Sequence, residues 1–468
     1  MTVQPFRLTD AAFAALGAGR PGKGTLDALR RAEHSRNLLL LRQLRRQVSD
    51  TPEWYAGLRA VPPEEAARWT ADPMTGLWAT HALRTASGST PPPAPPGGHL
   101  LTATCEDLTL TVRLEDAEPV RARLGLTPAG PVTPSGLEHW RTCLEQAWAR
   151  LVRRHRPAAE ILAAVLRVIV PVELDPSAEG ISATSAEAFG AVAMSAPPGP
   201  GALAAGLVHE IQHSLLNATH LLFDLVKPDG PVGYSPWRDD PRPAFGVLHG
   251  AYAYLAVTRF HRSEPGPMAA FEFARRRTSV ADAAEGLLRG GELTRAGTRF
   301  VRALLDEVRP WLDEPVEPET RRLADLANND HRVRWRLRNL TVTEADTARL
   351  VHAWRAGEAP PAAEAVLAAG SGRALENSPR LPLVRALVKG EPAAGAGADQ
   401  ACVRGDDGAA VTAYQRELGV DRGNESAWSG LALVSPSPAL RRRPEVVRAV
   451  ARAVPEAEIG ALADWLPG

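Results

Sequence analysis

Two histidines and a glutamate in one apolar stretch of the chain have the spacing of metal ligands. In Leu207–Leu215, read as LVHEIQHSL, His209 and His213 stand four residues apart and Glu210 follows the first histidine. On a helix, positions i and i+4 share one face, so both imidazoles reach a single ion, while Glu210 is turned toward a bound water or substrate. Burying three polar side chains among apolar neighbours is costly unless they are paired or bound to metal. The stretch therefore predicts a metal site.

Two histidines do not complete a metal site, so a third ligand must come from another part of the chain. The metzincin pattern fails, because Leu216 and Thr219 stand where that pattern needs glycine and histidine. His249 is the preferred candidate. It lies in a second apolar stretch and is flanked by Gly246 and Gly250, small residues that would let its helix approach the motif helix closely.

The segments around the motif predict the elements that position it. Val165–Val172 is a short apolar, β-branched run typical of a buried strand, and Ala188–Met194 predicts a second strand. The motif then lies in a long apolar helix predicted at Ala202–Phe223. A loop rich in Pro, Gly and Asp, Lys227–Pro243, leads to the next apolar helix at Ala244–Phe260. A strand followed by an HExxH helix is typical of the zincin fold.

The whole chain predicts a mostly helical α+β protein with three regions. We expect a helical N-terminal region over residues 1–160, a metal-binding catalytic region over 161–357 and a C-terminal helical module over 358–468. The patterns in the N-terminal region predict helices over Leu8–Val48 with a break at Gly17–Gly24, an exposed loop at Ser87–Gly98, strands over Thr102–Leu114 and a helix over Leu137–His155.

The C-terminal module follows a short linker of small residues, Gly390–Gly397. Within it, Asp407–Leu433 resembles one tetratricopeptide-type (TPR-like) helix pair, in which the first helix ends near Leu418 and the second contains Trp428. Two roles are open for this pair, binding of a peptide or partner protein and plain helical packing. A single repeat is weak support for binding, since such units need neighbours to bury their faces.

Composition excludes several classes of partner. Lys plus Arg and Asp plus Glu both number 54 in 468 residues, so the formal net charge is zero and no global field attracts nucleic acid or an anionic membrane. The three cysteines, Cys105, Cys143 and Cys402, form neither a CxxC pair nor a disulfide framework. The sequence also has no signal-peptide pattern and no apolar run of about 20 residues. We therefore expect a soluble, cytoplasmic protein.

Three segments together resemble the HExxH-motif peptide-modification proteins, a family described as 2-oxoglutarate-dependent peptide β-hydroxylases. The first is the motif helix, with LVHEIQHSLL. The second is Asp240–Tyr254 (DPRPAFGVLHGAYAY), and the third is His331–Leu340 (HRVRWRLRNL). Their order and approximate spacing agree with the family, and the resemblance covers most of residues 1–360. HExxH alone is unspecific, whereas HExxH combined with RPxxGVLHG is more specific.

The resemblance implies a non-haem iron dioxygenase of natural-product (RiPP) biosynthesis. Such an enzyme uses Fe(II), 2-oxoglutarate and O2 to hydroxylate the β-carbon of residues in a ribosomally synthesised precursor peptide. It implies that His209, His213 and His249 hold Fe(II), and that Glu210 is a carboxylate outside the ligand set or facing the substrate. Three protein ligands leave open positions at the ion, as this chemistry requires.

Other residues near the second segment complete the predicted site. The usual non-haem iron triad has two histidines and one carboxylate, so Asp239 or Asp240 stays open as the third ligand. The distal carboxylate of 2-oxoglutarate needs a cation, for which Arg242 is the first choice and Arg259 the second. Tyr234, on the loop before them, lines the pocket, forms a lid or anchors the packing.

A row of arginines in the third segment has two possible roles. Arg332, Arg334, Arg336 and Arg338 alternate with apolar residues, among them Trp335. They form either a docking site for an acidic part of the precursor peptide or a solvated helix or strand face. A partner maturation protein bound through the C-terminal module is a further expectation.

Two other functions compete with the oxygenase. One is a zinc metallopeptidase, in which Glu210 is the general base that activates a zinc-bound water. The other is a non-catalytic peptide-binding protein with a degenerate site, and the intact motif argues against it. The metal and the cosubstrate distinguish the first two, because a peptidase binds zinc and ignores 2-oxoglutarate.

Overall fold

The computed structural model describes residues 6–47, 52–85, 97–175, 180–368, 378–392 and 397–468. Within these ranges the protein is mostly helical with small β-sheets, the α+β class that the sequence predicts. The predicted loop at Ser87–Gly98 and the predicted linker at Gly390–Gly397 fall largely or partly outside the described residues.

Helices outnumber strands in the described part of the chain, and most of the strands are short. The strands are β1 (His99–Cys105), β2 (Leu108–Leu114), β3 (Val168–Val172), β4 (Ser182–Ala183), β5 (Ala191–Ser195), β6 (Val232–Ser235), β7 (Arg238–Pro243), β8 (Leu340–Val342) and β9 (Ala365–Leu367). The helices are α1 (Asp10–Gly17), α2 (Lys23–Arg46), α3 (Glu53–Ala60), α4 (Pro63–Ala71), α5 (Pro73–Thr85), α6 (Pro134–Arg154), α7 (Arg156–Val165), α8 (Pro200–Phe223), α9 (Ala244–Ser263), α10 (Pro267–Gly290), α11 (Arg295–Val308), α12 (Pro318–Asn339), α13 (Glu344–Ala356), α14 (Leu381–Lys389), α15 (Ala398–Arg404), α16 (Asp407–Val420), α17 (Glu425–Val434), α18 (Pro438–Arg442), α19 (Pro444–Ala453) and α20 (Ile459–Trp465).

The chain forms two compact units, each assembled from three segments. Unit 1 consists of Met1–Pro228, Ala251–Ser263 and Leu288–Val308. Unit 2 consists of Asp229–Gly250, Glu264–Leu287 and Arg309–Gly468. The sequence predicted three regions, 1–160, 161–357 and 358–468. The division into two units does not test them, and they remain a prediction.

Unit 1 contains a five-stranded sheet in the order β1-β2-β3-β5-β4. The β1–β2 hairpin alternates buried and exposed residues, as the sequence predicts for a sheet with one solvated face. Strands β3 and β5 run parallel, and all their residues are buried, which explains their continuous apolar sequences. They confirm the strands predicted at Val165–Val172 and Ala188–Met194.

Helix α8 contains the HExxH motif and confirms the helix predicted at Ala202–Phe223. Pro200 stands at its first turn, where a missing N–H costs nothing. The helix ends at Phe223, and the following residue, Asp224, has a left-handed conformation with φ of 39°. Most of its residues are buried, and it packs against α6, α7 and β5. The apolar helix predicted at Ala244–Phe260 is likewise confirmed as α9.

Unit 2 contains a β-hairpin that the sequence did not predict. Lys227–Pro243 was expected to be a loop, but β6 and β7 pair there with a register shift. Strand β7, with the sequence RDDPRP, lacks the apolar alternation used to recognise strands and is held instead by polar contacts to α12. The expectation of a loop was therefore wrong.

The C-terminal part of unit 2 contains the predicted helix pair, α16 and α17. Helix α16 extends to Val420, and Trp428 on α17 is fully buried. The two helices approach closely at Gly430, where a Cβ atom would lie 2.0 Å from Cζ of Tyr414. Glycine is therefore required at this position for the tyrosine to pack.

None of the helices in the described ranges combines the length and apolarity needed to cross a lipid bilayer.

Candidate metal centre

The two motif histidines face each other on α8. Nε2 of His213 lies 3.0 Å from Nε2 of His209, and the ring planes are nearly perpendicular, at 89°. Two nitrogens that each lie about 2.1 Å from one ion, about 90° apart, are separated by about 3.0 Å. The ligand atoms of His209, Glu210 and His213 all lie within 4.8 Å of one another, the one such group among the described residues. The side-chain geometry thus suits a shared metal ion.

Glu210 is held beside this pair by two hydroxyl groups. Its side chain is buried, with 2% exposure, and its Oε1 accepts a hydrogen bond of 2.7 Å from Ser182 Oγ. Oε2 accepts a second hydrogen bond from Thr184 Oγ1. Oε1 also lies 3.9 Å from Nε2 of His209. The carboxylate is therefore anchored through both oxygens to β4 and the residue after it, with its charge next to the first imidazole.

Ser182 and Thr184 are residues of the site that the sequence did not point to. No motif marks them, since they stand in a short segment, ISATSAEAFG, that has no periodic pattern. Only a general indication of their role was present in the sequence. A buried carboxylate requires hydrogen-bond donors, and this segment is rich in hydroxyl groups.

Tyr254 is a further residue of the site that sequence reasoning did not single out. It lies on α9 in unit 1, and its ring packs edge-on against His209, with centroids 5.0 Å apart and planes at 72°. An aromatic contact of this kind restricts rotation of the imidazole. Tyr254 was visible only as the last residue of the second family-like segment.

His249, the predicted third ligand, lies on α9 in unit 2 and is half-buried. Its ring centroid is 5.8 Å from that of Phe245. The flanking glycines make room for side chains of the β6–β7 segment: a Cβ at Gly250 would lie 1.8 Å from Nε1 of Trp237, and one at Gly246 would lie 3.0 Å from Nε of Arg242. The glycines thus serve the packing of the β6–β7 segment, and the role of His249 as a ligand remains a prediction.

The alternative ligands Asp239 and Asp240 are buried and engaged with guanidinium groups. Asp239 accepts a hydrogen bond of 3.1 Å from Arg334, and Asp240 one of 2.9 Å from Arg238. Arg242 adds a longer contact of 3.4 Å to Asp240. A metal ion at either aspartate would compete with these guanidinium partners. Their present contacts favour a structural role.

The two predicted cosubstrate arginines differ in how firmly they are held. Arg259 donates to the backbone carbonyls of Ala18 and Gly19, at 2.7 and 3.2 Å, and to Glu307 at 3.1 Å. It thereby fixes the C-terminal end of α1. The side chain of Arg242 is 35% exposed, and its contact to Asp240 is the long one. Arg242 is thus more available for a bound anion than Arg259.

Tyr234 belongs to a chain of polar contacts in unit 2. Its hydroxyl lies 3.0 Å from Nδ1 of His331, and Nε2 of His331 lies 3.4 Å from Oδ1 of Asp239. The Tyr234 ring also packs edge-on against Trp335. These contacts attach the β6–β7 hairpin to α12. Packing is one of the roles that the sequence predicted for Tyr234, together with lining a pocket and forming a lid.

The alternating arginines lie on α12, and three of the four pair with carboxylates among the described residues. Arg332 pairs with Asp282 at 2.6 Å, Arg334 pairs with Asp239 and Asp330, and Arg336 pairs with Glu445. Docking of an acidic peptide on this row remains a prediction, and it would compete with these internal pairs.

Comparison with protein-family models and with curated protein sequences found no match to this chain. The family resemblance therefore remains a prediction that depends on the three motif segments.

Proposed function

We propose that the chain is an Fe(II)- and 2-oxoglutarate-dependent oxygenase that hydroxylates the β-carbon of residues in a ribosomally synthesised peptide. The observation that carries the proposal is the pair of imidazoles with Nε2 atoms 3.0 Å apart and the anchored carboxylate of Glu210 beside them. The three family-like segments support the peptide substrate and the cosubstrate.

The donor set fits a divalent iron ion. Imidazole is a good ligand for Fe(II), and two imidazoles on one helix face leave several coordination positions for other ligands. His249 is proposed as the third ligand. When bound, Fe(II) with 2-oxoglutarate and O2 supplies the oxidising power to insert oxygen into a C–H bond, while 2-oxoglutarate is converted to succinate and carbon dioxide.

Each protein side chain has a separate task in this proposal. His209 and His213 bind the ion through Nε2, and the edge of Tyr254 holds the His209 ring in its orientation. Glu210, fixed by two hydroxyls, places a carboxylate beside the histidine pair, where it favours a bound cation.

Arg242 is proposed to bind the distal carboxylate of 2-oxoglutarate. Its guanidinium lies 3.4 Å from Asp240, which also has a closer partner in Arg238 at 2.7 Å. Arg242 can therefore leave Asp240 without leaving that carboxylate unpaired. A guanidinium then binds a carboxylate through two parallel hydrogen bonds.

The alternative is a zinc metallopeptidase with a zincin-like strand and helix. The proximity of Glu210 to His209, 3.9 Å, is compatible with a general base near a metal-bound water. Both Glu210 oxygens already accept hydroxyl hydrogen bonds, however, and such a carboxylate is better suited to positioning than to repeated proton transfer. This contact pattern favours the oxygenase.

The helix pair α16–α17 is proposed as a TPR-like module that binds the precursor peptide or a partner maturation protein. The close packing at Gly430 and Tyr414 supports the repeat-like pairing of the two helices.

Anaerobic reconstitution tests the proposed function directly. Metal-free protein is loaded with Fe(II) and then with 2-oxoglutarate, and visible absorption is recorded. We expect a weak charge-transfer band that disappears when O2 is admitted and is absent in His213→Ala and His249→Ala. His352→Ala, at an exposed histidine on α13, is the matched control and should keep the band. No band, tight zinc retention and a cut peptide would instead establish the metallopeptidase.

A further inference from the structure

A cavity in unit 1, made by residues other than those of the metal centre, contains an excess of guanidinium groups. Its volume is about 810 Å³, and its wall includes parts of α2, α4, α5, α7 and the β1–β2 hairpin. Five arginines line it: Arg30, Arg31, Arg68, Arg113 and Arg167. Volumes of about 300–1,000 Å³ are typical of sites for small molecules.

The carboxylates of the cavity are already paired. Asp72 accepts two hydrogen bonds from Arg113, and Asp27 lies 3.3 Å from Arg30. The third carboxylate, Glu33, is buried with 6% exposure and lies 3.8 Å from Arg36 on its own helix. The lining acids therefore do not balance the remaining arginines.

Three lining arginines have no carboxylate partner in the part of the chain that the structure describes. Arg31 and Arg68 are exposed at the cavity, and no ion pair holds either of them there. Arg167 donates to backbone carbonyls of α7, at 2.6 Å to Ala164 and 3.1 Å to Ala163. Burial lowers the pKa of Arg167, and the neighbouring positive charge of Arg30 lowers it further. The cavity thus contains uncompensated positive charge.

Apolar side chains form another part of the lining. Val165 is buried, Phe189 is half-buried, and Leu100 at the edge of the sheet is 72% exposed. A ligand that fills the cavity therefore has an anionic part that binds the guanidinium groups and a carbon skeleton that packs against these apolar residues.

We propose that this cavity binds a small organic anion with at least two carboxylate or phosphate groups. Guanidinium groups bind both kinds of anion through paired hydrogen bonds, so carboxylate and phosphate share one recognition chemistry here. None of the metal-centre residues lines the cavity, so this site stands independently of the proposed oxygenase activity.

Isothermal titration of the full-length protein tests the proposal, with citrate as the polycarboxylate probe and pyrophosphate as the phosphate probe. At low ionic strength we expect one binding site for at least one probe, with an affinity that falls as NaCl is added. The probe that binds more tightly identifies the anionic group. Arg31→Ala and Arg68→Ala should each weaken binding about tenfold or more, because each removes charge-assisted hydrogen bonds.

The matched control is Arg42→Ala, at an exposed arginine on the same helix but outside the cavity. It should bind both probes as the unmodified protein does. The proposal is overturned if neither probe binds, or if the double variant of Arg31 and Arg68 binds as tightly as the unmodified protein. Binding of an acidic peptide without either small anion would also overturn it. Circular dichroism verifies that each variant is folded.

Discussion

Glu210→Gln replaces the anchored carboxylate of the metal centre by an amide of nearly the same shape. The amide keeps one oxygen as an acceptor, and its NH2 group donates to a hydroxyl that rotates to accept. Both Ser182 and Thr184 can turn in this way, since each bonds Glu210 through a hydroxyl. We therefore expect the variant to fold with both contacts present, now as neutral hydrogen bonds.

The expected loss of stability follows from these two hydrogen bonds. A hydrogen bond to a charged group contributes about 1.5–3 kcal/mol and a neutral one about 0.5–1.5 kcal/mol. Weakening two of them by about 1 kcal/mol each predicts a loss of about 2 kcal/mol in the free energy of unfolding. Removing a buried charge offsets part of this loss, so about 2 kcal/mol is the upper bound. Urea denaturation measures the difference.

Activity and metal content then separate the two functions. If Glu210 positions the site, the folded variant keeps its bound iron and its 2-oxoglutarate turnover within about tenfold of the unmodified protein. If Glu210 is the general base of a peptidase, peptide cleavage falls by about 10²–10⁴-fold while zinc stays bound. Glu138→Gln is the control, because it makes the same change at a side chain that is 64% exposed.

The positioning role is refuted if folded, iron-loaded Glu210→Gln loses more than a hundredfold in 2-oxoglutarate turnover. A cut peptide with no mass gain of one oxygen would refute the oxygenase itself. Glu210→Ala extends the comparison, because it removes both acceptors and should cost more stability than the glutamine variant.

Three further predictions concern polar groups that are buried or half-buried. Burial raises the pKa of Glu33 from 4.5 in the unfolded chain to about 7, so its contribution to stability is present below pH 4.5 and is lost as pH rises to about 7. Between pH 4 and pH 8, Glu33→Gln should therefore gain about 3 kcal/mol of unfolding free energy relative to the unmodified protein, and an unchanged difference would contradict this. Arg380→Met removes the closer of the two guanidinium partners of buried Asp330, at 2.6 Å, and leaves Arg334 at 3.2 Å, so the cost in urea denaturation should be about 3 kcal/mol, the lower end for a broken buried ion pair. Tyr234→Phe removes the 3.0 Å contact to His331 and should cost about 1 kcal/mol, and a neutral result would show that the contact contributes nothing.

The elements that bear the motif were predictable because their sequences are periodic or uniformly apolar. Val168–Val172 is buried on both faces, so its β-branched run identifies it without any tertiary information. Helix α8 is long, mostly apolar and begins at a proline, and these features locate it closely. Residues i and i+4 share one face of a helix, so the spacing of His209 and His213 likewise predicted that their side chains lie together.

The remaining parts of the site depend on contacts between distant segments, which no local pattern encodes. Ser182 and Thr184 reach Glu210 from a two-residue edge strand and the residue that follows it, a segment too short to be recognised by alternation. Strand β7 is stabilised by the contacts of Asp239 with Arg334 and Asn339, about 100 positions away, rather than by apolar side chains. Polar pairing of this kind leaves no periodic signal.

The anchored carboxylate also bears on the choice of the third ligand. In the proposed centre, Fe(II) held by three neutral imidazoles would keep a charge of two, which dianionic 2-oxoglutarate would neutralise. Glu210 adds one negative charge within 4.8 Å of the histidine nitrogens, so a further carboxylate ligand would give the loaded centre an excess of two negative charges in a buried place. Asp239 and Asp240, moreover, already neutralise Arg334 and Arg238. A neutral ligand would fit this charge balance better, and for that physical reason His249 is the third ligand that we propose.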